Sequence, residues 1–246
     1  MILIIKNLNR SIYFFVPARG GSKGINRKNL QFILPDISLV SYTLSFYDNF
    51  LKDYGSCILS SDDGEILRES PNLNILRDVR PNYLSTDSAI AGDVIREYFK
   101  RENQSIKVND WIVVLEPTSP FRSVTTFKKL VDIINTAQIV DSIITCKISK
   151  QVLWTADNQG YFRKVFESEQ SANRQGRTSF YIESNSYFAI RWGYLINNLH
   201  TIGGNVLAVE VSEQESIDIN YLEDLQIARL FALHRTFLEN SDVYQK

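Results

Sequence analysis

Apolar residues return along this chain in two rhythms. Short continuous runs alternate with longer stretches in which apolar side chains recur every three or four positions. Residues 12–16 (IYFFV), 56–60 (SCILS), 73–76 (LNIL), 111–115 (WIVVL) and 139–146 (IVDSIITC) belong to the first kind and predict strands. Residues 38–52, 89–100 and 123–135 belong to the second and predict helices. In 38–52 the residues Leu39, Tyr42, Leu44, Phe46 and Phe50 share helical spacing. Asp62 or Asp63 suits the N-cap of a short helix after the second strand, and Ser123 or Thr125 opens the helix over 123–135. This β-α-β-α order predicts an α/β fold, a mostly parallel twisted sheet flanked by helices on both faces.

The rhythm changes after about residue 147. Residues 150–190 are rich in aromatics, among them Trp154, Tyr161, Phe162 and Tyr181, and Asp157-Asn158-Gln159-Gly160 reads as a turn between two short strands. The stretch over approximately 147–190 is therefore expected as a small excursion from a single domain spanning 1–246. The chain returns with a strand over 205–211 and closes with a helix over about 221–238.

Composition narrows the function classes. The chain has 246 residues, 44% hydrophobic and 22% charged, as in ordinary globular proteins. Its 27 basic and 28 acidic residues nearly cancel, so nucleic-acid binding is not expected, and an anion site has to be a local cluster. Cys57 and Cys146 lie in apolar runs and read as buried free thiols, with no zinc site. The first residues, MILIIKNLNRS, lack the apolar core and small-residue cleavage site of a signal peptide. No apolar run reaches the about 20 residues that span a bilayer, so no membrane association is expected and a reducing cytoplasm fits. His200 and His234 fall outside every motif and are assigned to surface or packing roles.

The most informative stretch follows the first strand: Ala18-Arg19-Gly20-Gly21-Ser22-Lys23-Gly24, then Arg27-Lys28-Asn29. The glycines let backbone approach a ligand and expose consecutive amides, while Arg19, Lys23 and Lys28 concentrate positive charge. A triphosphate needs that combination of amide donors and cations, and the carboxyl end of a strand is where open α/β sheets bind ligands. The loop is neither a Walker A sequence nor G-x-G-x-x-G. A flexible basic turn is the competing reading.

Pro17 to Gly24 together with Lys28-Asn29 resembles the signature of acylneuraminate cytidylyltransferases, or CMP-sialic acid synthetases. Further segments resemble the family in order, from about residue 12 to 235: Ser60-Ser61-Asp62, Arg80-Pro81 with Leu84-Ser85-Thr86-Asp87, Leu115-Glu116-Pro117-Thr118-Ser119-Pro120-Phe121-Arg122, and Ser216-Ile217-Asp218-Ile219-Asn220. The resemblance implies a nucleotidyltransferase, Rossmann-like fold. It implies transfer of CMP from CTP to the anomeric hydroxyl of an acidic 2-keto-3-deoxy sugar, a sialic-acid-like nonulosonate, with release of pyrophosphate. A catalytically weak nucleotide-binding homologue and a nucleotidyltransferase for a different sugar are the alternatives.

Carried onto this sequence, the resemblance implies catalytic roles for Lys23, Arg19 and Asp218. It places CTP on Arg19, Gly20, Gly21, Ser22, Lys23, Lys28, Asn29 and Arg80, with Asn29 and Arg80 toward the cytidine end. It places the sugar on Glu116, Arg174, Gln175, Tyr187 and Phe188. It implies magnesium on Asp218 and on the position occupied here by Asn220, where the family pattern has a second Asp. Glu116 stands where the pattern has Gln, Ser184 replaces part of E-N-G-A-F-Y, and Ala91 stands where many members carry a hydroxyl. A carboxylate at 116 repels an anionic sugar unless protonated, paired or turned toward magnesium, but it accepts hydrogen bonds from an amino or hydroxyl group. The resemblance implies that the aromatic-rich excursion contributes to a homodimer and closes over the partner's sugar site; aromatics that are simply core are the competing reading.

Overall fold

A computed structural model of the chain describes residues 10–69, 74–86, 88–102, 105–165 and 176–240, with side chains to residue 235. It opens with β1 (Ile12–Pro17), β2 (Phe32–Leu34), β3 (Ile37–Ser38) and α1 (Leu39–Phe50). Next come β4 (Cys57–Ser61), α2 (Gly64–Arg68), β5 (Leu76–Val79) and α3 (Ala91–Arg101). The middle carries β6 (Trp111–Val114), α4 (Val124–Thr136), β7 (Ser142–Ser149), β8 (Trp154–Ala156) and β9 (Phe162–Lys164). The last elements are β10 (Phe180–Arg191), α5 (Trp192–Leu195), β11 (Val206–Glu210) and α6 (Leu222–Asn240).

Seven strands form the main sheet in the order β11-β7-β10-β6-β1-β4-β5. All neighbours are parallel except β10, which runs antiparallel to both β6 and β7. Alternation along β1 sends side chains to both faces. Phe14 and Val16 pack with Leu44 and Tyr47 of α1 and with Phe127 and Leu130 of α4. Phe15 turns the other way, toward Val94, Ile95 and Tyr98 of α3. Fully burying one such side chain contributes about 1.5–3 kcal/mol, so the continuous apolar runs are what fixes the sheet between its helices.

Two of the caps match the sequence reading, Ser123 and Asp63, while Ser38, placed inside the helix over 38–52, caps α1 instead. Ser123 Oγ accepts from Thr126 N at the start of α4, Asp63 Oδ1 accepts from Glu65 N at α2, and Ser38 Oγ accepts from Ser41 N at α1. A third apolar cluster, including Ile25, Ile33, Phe121, Ile219 and Leu225, lies under the loops that follow β1 and β6 and against α6. It joins the glycine-rich segment to the chain around residue 219.

Three expectations change. The strand placed at 73–76 lies at Leu76–Val79, where its register with β4 pairs Ser60 with Asp78. The short β2–β3 hairpin was not anticipated. Residues 180–191, expected within the excursion, form β10 inside the main sheet, so the part outside that sheet is narrower than 147–190. A register shift between Ser184 and Phe188 breaks the apolar alternation of β10, which hides one long strand from a periodicity reading.

Candidate active site

At the carboxyl end of β1 the chain first continues the sheet, with Ala18 N donating to Ser60 O at 2.9 Å. It then turns into the glycine-rich loop. Gly20 N donates to Asp62 Oδ1 at 2.9 Å, and a Cβ on Gly20 would stand 2.8 Å from Asp63 Cβ. Asn29, buried, donates from Nδ2 to Arg19 O at 2.9 Å and clamps the loop on itself. Arg27 holds a left-handed backbone (φ 49°) and pairs with Asp63 and Glu65, each at 2.9 Å. The loop is thus a braced structure, which disfavours the flexible-turn reading.

Across from it lies the segment before α6. A Cβ on Gly24 would fall 2.3 Å from Asn220 O, so the close approach of the two backbones requires glycine. Lys28 Nζ donates to Ile219 O at 2.7 Å. Ile219 N donates to Thr118 O at 2.9 Å, tying in the loop after β6. Asp218 accepts from Ser119 Oγ at 3.3 Å, from Asn185 Nδ2 at 3.4 Å and from Asn220 Nδ2 at 2.9 Å. Asp224, in the first turn of α6, accepts from Asn220 N and Tyr221 N.

These loops enclose a cavity of about 700 Å³. Arg19, Ser22, Lys23, Gly24, Lys28 and Asn29 line it from the β1 loop. Arg80 closes one side, and Glu116 with Asn220 the other. The sheet order explains that division: β4 and β5 lie on one flank of β1 and β6 on the other. Burial lowers the Lys28 ammonium pKa, partly offset by Asp218 and Glu116. Burial likewise lowers the Arg80 guanidinium, against Asp62 and Asp78, which raise it. Glu116 moves the other way, pushed up to about 7 by burial and by the neighbouring Asp218 charge. Beneath it Arg122 is fully buried, donating to Ser186 O at 2.7 Å and to Glu116 O.

Several expected residues are placed differently. The Gly20 amide is spent on Asp62 and is not available to a phosphate. Tyr187 and Phe188, expected at the sugar, sit in the two main cores: the Tyr187 hydroxyl donates to Ser123 O at 3.0 Å and Phe188 packs beside Phe15 and Val114. Alternation along β10 directs both rings to the faces of the sheet, away from the cavity. Asn220 turns its amide nitrogen toward Asp218. Arg174 and Gln175 lie outside the described residues. Asp62 and Arg122 brace the site, although Asp62 reads from the sequence only as a possible helix cap and Arg122 has no site role there; their positions inside the S-S-D and L-E-P-T-S-P-F-R segments were the available signal.

A cationic loop facing a carboxylate across a cavity can hold a phosphorylated ligand. A family model described as cytidylyltransferase matches residues 13–240. The chain belongs to the cytidylyltransferase family. This cytidylyltransferase is 25% identical over 228 residues to the N-acylneuraminate cytidylyltransferase of Escherichia coli O18:K1:H7 (strain RS218 / NMEC), covering 90% of this chain and 52% of that protein. It is 20% identical over 214 residues to the N-acylneuraminate cytidylyltransferase of Streptococcus agalactiae serotype III (strain NEM316), covering 85% of this chain and 50% of that one. The chain therefore spans about half the length of these curated relatives. Post-translational flagellin modification protein B of Campylobacter coli is 24% identical over 216 residues, 85% of this chain and 90% of that protein. Among solved structures, CMP:2-keto-3-deoxy-manno-octonic acid synthetase complexed with CTP superposes with a TM-score of 0.65 at 13% identity, covering 92% of this chain and 99% of that one. The cytidylyltransferase fold is thereby shown, with no helix among the described residues long and apolar enough to cross a membrane.

Proposed function

We propose that this cytidylyltransferase transfers CMP from CTP to the anomeric hydroxyl of an acidic 2-keto-3-deoxy sugar of the sialic-acid class. The hydroxyl oxygen bonds the α-phosphorus, the bond to the bridging oxygen breaks, pyrophosphate leaves and the hydroxyl proton is lost. One observation carries the reading: the cationic loop over Arg19–Lys28 is locked by Gly24 and Lys28 against the segment bearing Asp218, across a cavity about 700 Å³ in volume. Transfer of this kind depends on positioning and charge neutralisation more than on a covalent intermediate. Arg19, Ser22, Lys23 and Lys28 hold the phosphates, Arg80 and Asn29 the nucleoside side, and Glu116 the acceptor side. The N-acylneuraminate cytidylyltransferase relatives support the acceptor class.

The residues present fit magnesium held jointly with phosphate. Magnesium commonly takes one or two carboxylates plus substrate oxygens and water, and Asp218 supplies a carboxylate beside Lys28 and Glu116. Asp218 is the proposed ligand, and Asn220 orients it. When bound, the ion supplies charge neutralisation at the phosphates. Two free thiols, Cys57 and Cys146, accord with a reducing cytoplasm, and the exposed aromatic hairpin β8–β9 with a homodimer.

A pyrophosphate-release assay with CTP, magnesium and a panel of sugars tests the reading. Turnover with acidic nonulosonates and not with neutral sugar phosphates is expected. Intact CTP binding with no release across the panel would establish a nucleotide-binding homologue instead. Turnover confined to a neutral sugar phosphate would assign a different acceptor.

A further inference from the structure

We propose that Asp78 is a positioning residue that fixes Arg80 for the nucleotide through Ser60, and that Arg101 anchors this relay to α3. The inference rests on the reading of Arg80 as a nucleotide contact. The observations behind it are independent of any ligand. Arg80 is buried, 5% exposed, yet lines the cavity. Its Nε donates to Ser60 Oγ at 3.2 Å and its Nη2 to Ser60 O at 2.8 Å. Those two bonds leave Nη1 unused by the described residues. Ser60 Oγ, fully buried, in turn donates to Asp78 Oδ2 at 2.6 Å. Asp78 is 3% exposed and does not line the cavity; its other oxygen, Oδ1, accepts from Arg101 Nη2 at the end of α3.

The sequence builds the relay by register. β4 and β5 pair Ser60 with Asp78, and Arg80 N donates to Ser61 O at 2.8 Å, so one more step along the ladder delivers Arg80 to the end of the strand. A serine hydroxyl has one proton to donate. With that proton committed to Asp78, Ser60 Oγ is left as an acceptor for Arg80 Nε. An asparagine at 78 could offer N–H in place of a lone pair, which would reverse the hydroxyl and turn Ser60 against the guanidinium. Burial disfavours the Arg80 charge, and Asp78 is one of the carboxylates that offset this. Arg101 reaches the same carboxylate from the helix whose first turn contributes Ala91 and Val94 to the cavity wall. The relay thus connects both ends of α3 to the binding cavity.

The experiment is CTP binding by calorimetry, with melting temperature measured in parallel, on Asp78→Asn, Ser60→Ala, Arg80→Lys and the double variant Asp78→Asn/Arg80→Lys. Asp78→Asn and Ser60→Ala should each weaken CTP binding about tenfold, as expected for a disturbed bond to a charged donor, and Arg80→Lys at least as much. The double variant should bind no worse than Arg80→Lys alone, because Asp78 acts through Arg80. Where turnover is measurable, KM for CTP should rise with kcat within about twofold. Ser60→Ala keeps the Asp78–Arg101 pair, so it serves where Asp78→Asn folds poorly. Unchanged CTP affinity in Asp78→Asn and Ser60→Ala, or additive losses in the double variant, would reduce the relay to a structural role. If Arg80→Lys binds CTP normally, the nucleotide contact itself is wrong and the relay falls with it. Binding is read without pyrophosphate release, so an inactive protein would refute the transfer reading and leave this test intact.

Discussion

Glu116 is a carboxyl with two opposing influences on it. Burial and Asp218 favour its protonated form, while Arg122 and Lys28 favour the charged one, and the balance leaves it pushed up to about 7 from 4.5. The folded protein therefore holds a proton that the unfolded chain releases between those values. Stability from this group is complete below the unfolded pKa and is lost as pH rises through about 7. Replacing it by Gln removes the loss. In denaturant unfolding, Glu116→Gln should gain on wild type between about pH 5 and pH 8, by on the order of 1–2 kcal/mol given partial exposure to the cavity. A difference that stays flat across that range would show that the folded carboxyl ionises normally. Near neutrality the site can either accept from or donate to an acceptor sugar at this position, which eases the repulsion expected from a fixed carboxylate.

At the scale of elements, the contact between the glycine-rich loop and the segment before α6 carries the site, and Gly24 is its tightest point. Gly24→Ala would push Cβ against the Asn220 carbonyl, a backbone atom that cannot swing aside. We expect a loss of about 1–3 kcal/mol in unfolding free energy and at least tenfold weaker CTP binding, whereas Gly21→Ala, whose Cβ meets nothing within 4 Å, should be well tolerated. Similar affinities for the two variants would show that the loops separate freely. Much of this was legible beforehand, because strands such as Trp111–Val114 are uniformly apolar and caps such as Ser123 are local. The loop announced itself through glycine and positive charge in adjacent positions. What stayed hidden is long-range: the bond from Lys28 to Ile219 O spans 191 positions, and Arg122 looked like any motif arginine until its burial under Glu116 was seen. The burial of Tyr187 and Phe188 in the two main cores follows from alternation along β10, which a motif match does not disclose.

At the scale of the whole molecule, the described residues include a set of exposed aromatic rings. On the β8–β9 hairpin and on β10, Trp154, Tyr161, Phe162 and Tyr181 are 53%, 67%, 68% and 68% exposed. Such aromatics concentrate at protein interfaces. Sedimentation should find wild type as a dimer and the Trp154→Ser/Phe162→Ser variant as a folded monomer; an unchanged dimer would move the interface elsewhere. The placement of β10 has another consequence. β6 and β7 are consecutive among the main-sheet strands but do not pair, because β10 lies between them. A nascent chain that has emerged only to residue 165 holds β1, β4, β5 and β6 with the inner border of that set unpaired, and β7 has no neighbour to join. Such open borders invite pairing with other chains. Closure waits for β10, the antiparallel strand synthesised last but one in the main sheet, which makes residues 180–191 its keystone.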